Sequence, residues 1–87
     1  MKYLLEFVKQ RNAFNKMFGS KPLDLTVAAD RRRVAEIIDS ALSPENLTCD
    51  GELSRSQVQA RYRELTRVAR ELIELDPSVQ QYIYEFA

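Results

Sequence analysis

Histidine and tryptophan are absent from this chain of 87 residues, and cysteine occurs once. Each absence closes a branch of chemistry. Without histidine there is no Ser-His-Asp triad, no Cys-His dyad and no HExxH zinc site. One cysteine allows no disulfide within the chain and no thiolate zinc cage, which fits a reducing cytosol. No apolar run approaches the roughly 18 residues of a membrane span. The N-terminal stretch is broken by Glu6 and Lys9, so no signal peptide is expected. An excess charge of either sign is lacking too. The 13 basic and 13 acidic side chains cancel, and zero net charge removes the long-range steering on which most nucleic-acid binders rely. These exclusions predict a cytoplasmic protein with no cofactor, no metal and no membrane span.

Hydrophobic residues make up 45% and charged residues 30% of what remains, the balance of a globular protein. The length predicts a single helical domain over residues 1–87, with no room for a second core. A domain this short buries roughly 60–70% of its unfolded surface, so self-association or docking on a larger partner would add burial.

Two glycines (Gly19, Gly51) and three prolines (Pro22, Pro44, Pro77) divide the chain into helical blocks. The first runs from Lys2 to Phe18, with Leu4, Phe7, Val8, Phe14, Met17 and Phe18 at helical spacing. Gly19 stands where a left-handed C-terminal cap belongs. Residues 1–21 carry five basic side chains against Glu6, a net of +4. The second block, Val27 to Leu42, has the apolar stripe Val34, Ile37, Ile38, Ala41 and Leu42, with Thr26 as expected N-cap and Pro44 as stop. In the third, Ser54 and Gln57 form a capping box, with Leu53 and Val58 at the staple positions. Its stripe is Val58, Tyr62, Leu65, Val68, Ala69, Leu72 and Ile73, and Asp76-Pro77 ends it. Asp76 then caps a short fourth helix whose buried face is Val79, Tyr82, Ile83 and Phe86. With no strand alternation anywhere, the expected fold is all-α: a small bundle of three helices plus a short C-terminal helix.

Candidate sites follow from these faces. The loop from Asn46 to Gln57 has EF-hand-like spacing, with Gly51 at position six and Leu53 at position eight. Its ligand positions one, three and twelve, however, are Asn46, Thr48 and Gln57, and calcium needs anionic oxygens and a bidentate glutamate. A simple turn is therefore expected, with no metal. Arg63, Arg67 and Arg70 lie at i, i+4, i+7, a row able to track phosphates. Interleaved Glu64, Glu71 and Glu74 predict instead a self-neutralised face with Arg67–Glu71 and Arg70–Glu74 pairs. Arg31, Arg32 and Arg33 point three ways around a helix, so they cannot all face one ligand, and Glu36 offers Arg32 and Arg33 a partner. Eleven residues separate Leu42 from Ser54, too many for a helix-turn-helix. Cys49 has acidic neighbours and no histidine to serve as base, so it reads as structural. The first helix joins a basic face to Phe7, Phe14, Met17 and Phe18. It suits the core, an anionic membrane or a partner's groove, and is the place to look for an oligomer interface. Tyr84 falls outside the buried C-terminal face and is a candidate contact residue.

The strings Phe14-Asn15-Lys16-Met17-Phe18-Gly19, Leu23-Asp24-Leu25 and the run from Leu42 to Glu52 resemble segments of short, uncharacterised bacteriophage accessory proteins. That resemblance covers roughly residues 10 to 70 and implies action in a bacterial cytoplasm by binding a host or viral protein. It carries over no functional residues. Residues 52 to 70 are similar to the acidic turn and helix of tellurite-resistance-type domains, but most of the acidic residues of that turn are missing. The expected function is thus a non-enzymatic protein-interaction module, with Phe7, Phe14, Phe18 and Tyr84 as apolar anchors and Arg63, Arg67 and Arg70 as a charged rim. The alternative is a nucleic-acid-binding protein that uses the basic N-terminal segment and the arginine row. An enzyme is not expected, since neither a general acid–base pair nor a phosphate loop is visible.

Overall fold

The computed structural model describes every residue, Met1–Ala87. Four α-helices follow one another: α1 (Lys2–Met17), α2 (Ala28–Ala41), α3 (Pro44–Leu47) and α4 (Arg55–Leu75). Two 3₁₀ segments, Pro77–Tyr82 and Tyr84–Phe86, close the chain. The fold is the all-α bundle expected, with three long helices and a C-terminal helical piece.

Local chemistry sets the ends of these helices. At the close of α1, Gly19 adopts φ +71°, where a side chain would be strained. The Ser20 N–H donates to the Asn15 carbonyl (2.9 Å) and the Gly19 N–H to that of Lys16 (3.2 Å), the paired bonds of a Schellman cap. At the start of α4, the Gln57 N–H donates to Ser54 Oγ (3.3 Å) and the Ser54 N–H to Gln57 Oε1 (2.8 Å), completing the capping box. Leu53 and Val58 are both half-buried beside it.

Three local expectations need correcting. Thr26 does not cap α2, because its hydroxyl and N–H both go to Asp24 Oδ1 (2.7 and 2.9 Å). Val27 takes the cap position with no side-chain bond. Pro44 not only stops α2 but starts α3, a single turn whose N1 position needs no N–H. The C-terminal piece is 3₁₀ rather than α. Ile83 divides it with an extended backbone (φ −112°, ψ 102°), and Val79 and Ile83 both reach the core.

That core is one cluster of eleven residues. Leu4 and Val8 come from α1, Leu23 from the connector, Val34, Ala35 and Ile38 from α2. Val68, Ala69 and Leu72 come from α4, and Val79 and Ile83 from the C-terminal segments. Burying a leucine fully contributes about 1.5–3 kcal/mol, and Leu4 and Leu72 are both wholly buried. Helix α4 is the centre of this arrangement: α1 and α2 each pack on it, and the first 3₁₀ segment packs on α2 and α4, whereas α1 and α2 hardly meet.

Polar clamps complete the frame. The Asn12 amide donates to the Leu23 carbonyl (3.0 Å) and accepts from the Leu23 N–H (2.7 Å), holding the α1–α2 connector against α1. Arg31 Nε donates to Asp76 Oδ2 (2.8 Å), tying α2 to the end of α4. No helix is long and apolar enough to cross a membrane.

Candidate protein-docking surface

Beside the line where α1 and α2 hardly meet lies an open cleft of about 740 Å³. Phe7, Gln10, Arg11 and Phe14 of α1 form one wall, and Ile37, Ser40 and Ala41 of α2 the other. Arg61, Glu64 and Leu65 of α4 make the floor, and Asn46 and Cys49 close one end. Tyr3, Phe7, Gln10, Phe14 and Met17 recur along α1 at i, i+4, i+7, i+11 and i+14. That is the seam of a helix that packs along a second helix. It lies one step round from the buried Leu4 and Val8, so α1 has one face for its own core and a neighbouring apolar edge left over.

Exposure along this edge rises toward the end of the helix. Phe7 is half-buried against the core, Phe14 is 50% exposed, Phe18 70% and Met17 81%. The Phe14 and Phe18 rings lie 4.9 Å apart and tilted, and the Arg11 guanidinium sits 5.0 Å from the centre of the Phe14 ring. Arg11 Nε is shielded from solvent yet donates to nothing in the chain. The ion pairs of the molecule are Met1–Glu71, Arg31–Asp76 and Arg32–Glu36. Arg11, Arg61 and Glu64 therefore line the cleft without a charged partner.

The other expected contact residues stand elsewhere. Arg63, Arg67 and Arg70 are exposed on α4 but do not line the cleft. The expected Arg67–Glu71 and Arg70–Glu74 pairs do not form. Arg67 instead lies 5.2 Å from the centre of the Tyr3 ring and donates to its hydroxyl (3.1 Å). Glu71 turns to the start of α1, accepting from the Leu4 N–H (3.0 Å) and pairing with the Met1 amine (3.3 Å). Of the expected Glu36 pairs, Arg32 makes its bond (3.0 Å), and Arg32 also stacks 4.4 Å from the centre of the Tyr82 ring. Tyr84 is 89% exposed, as its place outside the C-terminal face predicts, and its backbone is held by an N–H bond to Asp39 Oδ1 (2.9 Å) and by the Ala87 N–H donating to its carbonyl (3.3 Å).

The loop compared with an EF-hand is a turn. Cys49, Asp50 and Gly51 have φ of +49°, +56° and +86°, three left-handed residues in succession that reverse the chain ahead of α4. Asn46 donates to the Ser40 carbonyl (2.8 Å), Thr48 Oγ1 to that of Pro44 (2.7 Å), and Gln57 serves the cap of α4. No three acidic, cysteine or histidine side chains lie close enough to share a metal ion.

The residues that sequence reasoning missed are Arg11, Arg61, Glu64 and Ile37. The seam spacing along α1 was the available signal for the edge itself, but nothing local marks the far walls. Fold and surface together define a class: a small helical bundle with an open groove beside an aromatic helix edge. No family model, no curated protein and no solved structure matches the chain.

Proposed function

We propose that this protein is a non-enzymatic protein-interaction module that docks through the apolar edge of α1. The observation that carries this reading is the exposed group Phe14, Met17 and Phe18, contiguous with the cleft and not used by the eleven-residue core. Exposed aromatic and methionine side chains rimmed by basic ones have the composition of interface centres. Lys16 and Lys21, both exposed, are the basic neighbours of this group along the chain, and exposed Tyr84 is a separate contact point at the C-terminal end. A bacterial cytoplasm and a phage-encoded accessory role, with a host or viral protein as partner, rest on the sequence resemblance.

Affinity capture on the tagged protein after nuclease treatment tests the reading. The wild type should retain a stoichiometric protein that the Phe14→Ser/Phe18→Ser variant does not. Both positions are exposed, so the variant should melt as the wild type does. Equal capture by the two proteins would remove the α1 edge from the interface.

The second reading, nucleic-acid binding through the basic N-terminal segment and the arginine row, is favoured by one observation: none of Arg63, Arg67 and Arg70 is ion-paired. It requires material that nuclease removes, and binding that falls steeply with salt.

A further inference from the structure

We propose that the groove between α1 and α2 receives an acidic amphipathic helix from a partner protein. This rests on the interaction-module reading and names its site and the chemistry of its partner. Three helices meet here around a missing fourth: α1 and α2 form walls, α4 is the floor, and the walls hardly touch. An amphipathic helix laid in such a groove presents apolar anchors at i, i+4 and i+7. The wall residues Phe7, Phe14 and Ile37 and the floor residue Leu65 are the apolar surface those anchors would meet.

Charge selects among occupants. Arg11 and Arg61 line the groove unpaired, and Arg11 Nε is already out of solvent with its donor unused. A carboxylate flanking the anchors would pair with the guanidiniums of Arg11 and Arg61, which have no ion-pair partner within the chain. A phosphate backbone would leave the apolar walls Phe7, Phe14 and Ile37 unfilled, which favours a helix with apolar anchors. A second copy of this chain is disfavoured as well, because its own α1, with four basic side chains against Glu6, would bring a net charge of +3 against another of +3. An acidic helix meets both the apolar walls and the unpaired guanidiniums.

A display library of helical peptides, randomised in sequence and selected against the intact protein, tests this directly. Enriched peptides should carry apolar residues at i, i+4 and i+7 flanked by Asp or Glu. Their binding should shift the amide resonances of Phe7, Arg11, Ile37 and Glu64, and Arg61→Glu should weaken it about tenfold or more. Arg61 is exposed and its reversal leaves the fold alone; Arg11→Gln gives a second variant that keeps a neutral side chain in place. Enrichment of basic or charge-indifferent peptides overturns the proposal, as does failure to enrich any. Shifts confined to Tyr84 or the arginine row overturn the site but leave the interaction-module reading standing. Shifts of the groove amides on dilution of the protein alone overturn it in favour of a second copy, and the same shifts with a single-stranded homopolynucleotide overturn both readings.

Discussion

Asn12 shows how much one side chain can hold. From the middle of α1 its amide satisfies both backbone groups of Leu23, a buried residue outside any helix. Removing it leaves a donor and an acceptor without partners in a place water reaches poorly. Asn12→Ala should therefore cost about 1–3 kcal/mol, read as a lower denaturation midpoint with an unchanged slope. Ser54 is a smaller case: it is exposed and supplies one cap, so Ser54→Ala should cost about 1 kcal/mol in the same assay. Ser54 was legible in the sequence because its partner Gln57 is three residues away. Thr26 was misread because Asp24, two residues before it, takes its hydroxyl. Asn12 gave no signal, since its partner lies eleven residues on in an irregular segment.

At the scale of elements, α1 lacks a side-chain cap of its own and borrows one from α4. Glu71 accepts from the Leu4 N–H across 67 positions of sequence, and this bond is the main reason its carboxyl sits below the usual glutamate range. Glu71→Ala should raise the amide exchange rate of Leu4 well before that of Ile38 or Leu72, and Glu71→Gln, which keeps an acceptor, should raise it less. Uniform exchange rates in the alanine variant would show that α1 does not depend on this contact. The helices themselves were legible from their periodicity and from Gly19, Ser54 and the prolines. Their mutual spacing was not, because the cleft arises where α1 and α2 pack only sparsely, and the distance between two helices leaves no periodicity to read.

For the whole molecule, zero net charge hides an uneven use of its carboxylates. Glu71 and Asp76 are both held below their ordinary values. For Asp76 the chief cause is the Ser78 hydroxyl, followed by Arg31. A depressed carboxyl stabilises the fold fully above its unfolded value, about 3.9 for Asp and 4.3 for Glu, and loses that contribution as pH falls through the folded value. The wild type should keep its melting midpoint down to about pH 5 and show a lower one as pH falls further. A Glu71→Gln/Asp76→Asn variant should melt lower at pH 7 and change less on acidification; parallel curves would place the acid sensitivity elsewhere. The borrowed cap has a further consequence for the order of events during synthesis. Helix α1 is made before α4, so its cap arrives only with residue 71, after α2 and the turn at Cys49 have been made. Until then its aromatic edge and its core face are both bare. Helix α1 thus waits for a carboxylate 67 positions further along the chain, and its Leu4 and Val8 face stays uncovered until α4 is made.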